Sequence, residues 1–216
     1  MAELPDWLRE WIVAADLADL PRLEEGARKL YALLGAANAQ FNLTRIDSEE
    51  GYWSRHVADS LTLLWRFPVL KKRPLALADI GCGAGFPSLV LALACPAWRI
   101  CAIDSIGKKI NFVRSAAQEL GLSNLEVVTG RSRELDCKPE FQNRFDVVTA
   151  RAVAPSATLA TDARRFLKRG SGRFIFYKTP QQLDGEWDEL TAQLKLRPLH
   201  WQRDGAFELP HSGEAR

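Results

Sequence analysis

The chain has 216 residues, 47% of them apolar, and a formal net charge of +2. That is enough for one large α/β domain, or one with an appendage, around a sizeable core, and the near-neutral charge neither demands nor excludes a nucleic-acid partner. No apolar run approaches the length of a membrane span, and the four cysteines, at positions 82, 95, 101 and 137, show neither a C-x-x-C pair nor metal-ligand spacing. The expectation is therefore a protein with reduced thiols, no metal and no membrane association. Its N-terminus is acidic and amphipathic rather than leader-like, which places it in the cytoplasm.

The first 70 residues read as helical. Leu4, Trp7, Leu8, Trp11 and Ile12 recur at helical spacing, and Pro21 opens a second helix whose apolar face is Leu23, Ala27, Leu30, Tyr31 and Leu34. Asn42-Leu43-Thr44 breaks that pattern. Asp47 or Ser48 caps a third helix carrying Tyr52, Trp53, His56, Val57, Leu61, Leu63, Leu64 and Trp65. The tryptophans at helical spacing read as core rather than as stacking platforms. Pro68 and Lys71-Lys72-Arg73-Pro74 end the helix and form a linker.

From residue 75 the pattern changes to short apolar runs at 75–80, 98–103, 125–129, 145–150 and 172–177, separated by helical stretches at 87–94, 107–120, 155–168 and 184–194. That alternation predicts an α/β fold, a doubly wound and mainly parallel Rossmann-like sheet with an N-terminal helical extension. The domain boundaries expected are 1–70 for the extension, packed on the core, and 71–216 for the core. Residues 196–209 suit a bent sixth strand, and no apolar run remains after them for a seventh.

The first run ends in Asp79-Ile80-Gly81-Cys82-Gly83-Ala84-Gly85-Phe86-Pro87, and Asp104 follows the second. A strand, a glycine turn and a later acid at the tip of the next strand mark a nucleoside-cofactor site. A dinucleotide fingerprint, G-x-G-x-x-G, needs glycine at position 86, where this chain has Phe86. An acid two residues before G-x-G-x-G instead resembles motif I of S-adenosylmethionine-dependent methyltransferases. Gly81, Gly83 and Gly85 then let the backbone approach the ligand. Asp79 favours its cationic end, Asp104 accepts from the ribose hydroxyls, and Phe86 stacks or packs beside the turn.

Several segments together resemble one family. Phe41-Asn42-Leu43-Thr44, Arg55-His56-Val57-Ala58-Asp59-Ser60, the glycine motif, Asp104-Ser105-Ile106-Gly107-Lys108-Lys109 and Phe145 to Ala154 are similar to the signatures of the bacterial 16S rRNA guanine-N7 methyltransferases, also called glucose-inhibited division protein B. The resemblance runs from about residue 20 to 180. It implies S-adenosylmethionine as cofactor, 16S rRNA or the small ribosomal subunit as substrate, and a monomeric enzyme. It also implies cofactor contacts at Gly81, Phe86, Ser132-Arg133 and Arg151. The family has an acid where Arg133 stands here, and a glycine after the lysine that corresponds to Lys178.

Guanine N7 has a lone pair and no proton, so methyl transfer to it needs positioning rather than a general base. Catalysis is then expected to rest on Arg151, Asp59, Arg55 and His56. Asp59 accepts from the guanine edge while Arg55 contacts phosphate, against the competing reading of a salt bridge within the helix and a core-satisfied His56. Arg151, at the carboxyl edge of the sheet, reads as functional rather than as a structural ion pair. Asn42, Thr44, Arg55, Lys108, Arg131 and Lys178 form the expected RNA footprint, and the cluster Arg164, Arg165, Lys168 and Arg169 reads as a solvated helix end. The competing functions are a methyltransferase of a small molecule or protein, and a cofactor-binding module without turnover.

Overall fold

The structure is a computed structural model describing residues 3–45, 48–194 and 201–209. Its N-terminal part is helical: α1 (Asp6–Ala14), α2 (Leu20–Phe41), α3 (Glu49–Gly51), a π-helix (Tyr52–Ala58) and α4 (Asp59–Arg66), the last three running on without a break. Short polar side chains set the ends. Asp19 accepts from the Arg22 amide at 3.1 Å and starts α2 one residue before Pro21. Asn42, at φ 49°, takes the left-handed conformation that stops it. Ser48 accepts from the Gly51 amide at 3.1 Å and starts α3, which settles the choice between the two expected caps.

The remainder alternates strand and helix: β1 (Ala76–Ile80), α5 (Ser88–Ala94), β2 (Arg99–Asp104), α6 (Gly107–Glu119), β3 (Leu125–Thr129), α7 (Ser132–Leu135), β4 (Val147–Arg151), α8 (Ser156–Asp162), β5 (Arg173–Tyr177) and α9 (Pro180–Leu194). The strands form one sheet in the order β3-β2-β1-β4-β5, and every pairing is parallel. The chain winds outward from β1 to β3, then returns to β4 beside β1. That reversal opens a crevice at the carboxyl ends of β1 and β4, where such sheets bind ligands.

Alternation along the strands divides the core. Leu77, Ile100 and Val147 face one side and join Leu23, Leu30, Leu61 and Leu64 of the N-terminal helices in a single buried cluster. Ala78, Ile80, Cys101, Ile103 and Val148 face the other side and pack on Leu135, Leu159 and Phe166. The N-terminal helices thus cover one face of the sheet.

Several expected boundaries shift. The helix read over 155–168 stops at Asp162, because Ala163 leaves helical geometry (φ −128°) before a 3-10 turn at Arg164–Phe166. The last helix begins at Pro180 rather than 184. Thr179 Oγ1 accepts from the Gln182 amide at 3.3 Å while Gln182 Oε1 accepts from the Thr179 amide at 3.0 Å, a reciprocal cap. The short α7 carries too little periodicity to be read from sequence. Of the expected sixth strand, 196–200 lie outside the described residues, and 201–209 are irregular apart from a single bridge at Glu208.

Candidate active site

The turn after β1 is built by its glycines. Gly81, Gly83 and Gly85 all have positive φ (68°, 59° and 89°), a backbone that side chains rarely adopt. A Cβ on Gly81 would collide with Val153, and one on Gly85 with Leu89, so these two also serve packing. Gly83 differs. Nothing but the Gly81 carbonyl, 3.9 Å away, faces its missing Cβ, so its bare backbone opens on the crevice.

Two aspartates hold this turn from opposite sides. Asp104, at the tip of β2, accepts from the Gly83 amide at 3.0 Å and the Ile106 amide at 2.8 Å. Asp79 lies on the face of β1 toward α5 and is fully buried. Its Oδ2 accepts from the Ser88 hydroxyl, and from the Ser88 amide at 3.3 Å, fastening the start of α5 to β1. Its Oδ1 is buried with no partner among the described residues. Burial pushes the Asp79 carboxyl up to about 6, against the opposing pull of Ser88 and Arg151.

Arg151, the last residue of β4, is the hub of the N-terminal side. Its Nη1 donates to Asp59 Oδ2 at 2.8 Å and to the Arg55 carbonyl at 2.6 Å, and its Nη2 donates to His56 Nδ1 at 3.2 Å. Arginine only donates, so His56 Nδ1 is an acceptor and the ring proton sits on Nε2, which lies 3.2 Å from Thr44 Oγ1. Burial and the neighbouring guanidinium hold the His56 pKa well below its usual value, so the ring is neutral. It stacks on Phe86, ring centres 4.0 Å apart and 12° from parallel.

The expected roles change accordingly. Asp59 is fully buried and pairs with Arg151 on β4 at 2.8 Å. His56, in the π-helix, and Asp59, just after it, both meet Arg151 of β4. Arg151, read as functional in preference to an ion pair, is an ion pair. Phe86 is 3% exposed, and its ring is taken up by His56 and Tyr52. Lys178 donates to the Ala154 carbonyl at 2.9 Å and to Glu186 at 2.7 Å, with only 10% of its side chain exposed, so it braces the loop after β4 and offers RNA no free charge. Lys108 donates to the Phe41 carbonyl at 3.0 Å at the end of α2. Asn42, Arg55, Arg131 and Arg133 are exposed, and Ser132 is half-buried at the start of α7.

Sequence reasoning did not reach Ser88, the partner of Asp79, and it met the loop after β4 only as part of the family signature Phe145 to Ala154, not its geometry. There Ala152 has φ 52° and the half-exposed Val153 rests on Gly81. Left-handed geometry at alanine carries strain of the kind that gathers at ligand clamps, and no residue type in that loop announces it. A cleft of about 1260 Å³ lies along β5 and α4, lined by residues other than those of the glycine turn. Among the described residues there is no metal-binding cluster, and no helix is long and apolar enough to cross a membrane.

The crevice, its glycine turn and its two aspartates can be set beside known proteins. The family model described as GidB, rRNA small subunit methyltransferase G, matches residues 23–202. The ribosomal RNA small subunit methyltransferase G of Deinococcus radiodurans is 44% identical over 201 residues, which are 92% of this chain and 77% of that protein. The protein of the same name from Gloeobacter violaceus is 40% identical over 188 residues, 87% of this chain and 73% of that one. Among solved structures, the YcgJ protein of Bacillus subtilis shares the fold at a TM-score of 0.52 and 21% identity, covering 66% of this chain and 71% of that chain. The chain belongs to the GidB family of rRNA small subunit methyltransferase G proteins.

Proposed function

We propose that this protein transfers a methyl group from S-adenosylmethionine to N7 of a guanine in the decoding-region loop of 16S rRNA. The observation that carries the reading is the open backbone of Gly83 held by Asp104, in a turn whose preceding strand carries the buried Asp79 Oδ1, which has no partner among the described residues. The cofactor fits these groups. Gly83 leaves room for a nucleoside against the backbone. A carboxylate has about four lone-pair sites, so Asp104 keeps capacity for ribose hydroxyls while holding two amides. Asp79 suits the cationic methionine end, directly or through water. When bound, the cofactor supplies a methyl group on a sulfonium, an electrophile that needs little further activation.

The protein's own residues then have to hold and orient. His56 has both ring nitrogens engaged and its proton fixed on Nε2, which suits a reaction at a nitrogen without a proton to remove. Asp59 neutralises Arg151, so a cationic methylguanine product meets little opposing charge. Gly81, Gly83, Gly85, Phe86 through its backbone, Asp104, Ser132 and Arg133 are assigned to the cofactor side. Asn42, Arg55, Lys108 and Arg131 are assigned to the RNA side. Transfer of labelled methyl to 16S rRNA, followed by nuclease digestion and mass analysis, should place the label in 7-methylguanosine. Label in another nucleoside, or none with either free rRNA or small subunits, would overturn the reading.

A further inference from the structure

We propose that the amino edge of the sheet, opposite the glycine turn, is a second docking surface for the phosphate backbone of the substrate RNA. The inference rests on rRNA being the substrate. Segments 71–75, 143–146 and 164–173 lead into β1, β4 and β5, and the parallel register aligns these entries side by side. Together they hold nine lysines and arginines and one carboxylate, Asp146, on a chain whose net charge is only +2.

Asp146 and Asp136 are recessed while most of the cations around them are not, and Asp16 and Glu126 lie exposed outside these segments. Asp146 is 7% exposed, and it accepts from the Ala76 amide and from Lys168, each at 2.8 Å, with Arg73 at 3.8 Å. Yet the Arg73 and Lys168 side chains are 60% and 42% exposed. Asp136 is 12% exposed and its partner Arg165 is 61% exposed. Lys71 and Arg144 pair with Asp16 and Glu126. Lys72, Arg164, Arg169 and Arg173 are exposed and make no ion pair with any described residue. Massed like charge destabilises a compact chain, so such an edge is expected where an anionic partner compensates it. Arginine forks match phosphate oxygens.

Neighbouring strands lie about 4.8 Å apart, so the row from β1 to β5 spans roughly 10 Å before side chains are added, wide enough for several phosphates. It also lies about 16 Å, the length of a five-residue strand, from the turn. An RNA must therefore be long to touch both. Lys72→Glu/Arg169→Glu/Arg173→Glu should weaken binding to full-length 16S rRNA at least tenfold. It should also flatten the dependence of log affinity on log salt by about two. KM and kcat for a short stem-loop carrying the target guanine, cofactor retention and melting temperature should be unchanged. Unaltered affinity and salt slope on full-length rRNA would overturn the proposal, and so would equal losses on both RNAs. If the triple reversal folds poorly, Lys72→Gln/Arg169→Gln/Arg173→Gln decides by the same readouts. Failure of the unsubstituted protein to methylate rRNA would instead sink the functional reading, while direct RNA binding would still test this edge.

Discussion

At the scale of single residues, burial decides what the charged groups can do. The Asp79 carboxyl rises from the ordinary aspartate value of 3.8 to about 6 because it is buried. The folded protein therefore holds a proton that the unfolded chain releases. The resulting penalty is absent below about pH 4, grows between pH 4 and 6, and is complete above that. Asp79→Asn removes it. In thermal denaturation without cofactor, the variant should gain roughly 3 kcal/mol on the unsubstituted protein between pH 4 and 7. A gap that does not change with pH would mean that Asp79 is not strained. Arg151 and Asp59 follow the same logic. Arg151→Ala takes the β4 cation from the fully buried Asp59 carboxylate, and breaking a buried pair costs about 3–5 kcal/mol, or a fall of roughly 6–20 °C in Tm. Asp59→Asn/Arg151→Leu should recover much of that stability without recovering methyl transfer. Full activity in the double variant would leave the pair a purely structural role. The sequence named Asp59, His56 and Arg151 as candidates, but not their mutual contacts, because Arg151 stands 92 and 95 positions from its two partners and only the fold brings them together.

Among the elements, the glycine turn separates packing from ligand access. Gly83→Ala meets no neighbour closer than 3.9 Å and carries only the strain of φ 59°, about 1 kcal/mol. It should weaken cofactor binding by tenfold or more in equilibrium dialysis while lowering Tm only a few degrees. Gly81→Ala adds the collision with Val153 and should cost clearly more stability. Equal effects of the two substitutions on both readouts would deny Gly83 its special place. The turn was legible in the sequence because a backbone at positive φ demands glycine, and because the strand before it is announced by the apolar run Leu75 to Ala78. Helix ends were less legible. The reciprocal Thr179 and Gln182 cap and the break at Ala163 are set by local hydrogen bonds and backbone geometry that several sequences satisfy.

Over the whole molecule, the N-terminal helices and one face of the sheet share a single core. Arg22 adds a tie across it, donating to the Leu93 carbonyl at 3.1 Å at the end of α5. Leu61→Ala, at a fully buried position of α4, should cost about 2–5 kcal/mol. The loss should appear as a lower midpoint of one cooperative transition by both near-ultraviolet and far-ultraviolet dichroism. Two separated transitions would show that the helical part unfolds on its own. The sequence by itself determined the order of elements, the parallel sheet, the glycine turn and its two flanking acids, because each depends on spacing along the chain or on a backbone conformation that few residues tolerate. Only the tertiary structure decided that Arg151 closes on Asp59 and His56, that Lys178 is spent within the protein, and that scattered basic runs converge on one edge of the sheet. Those outcomes join residues dozens of positions apart, and only the folded chain fixes the distances between their charges.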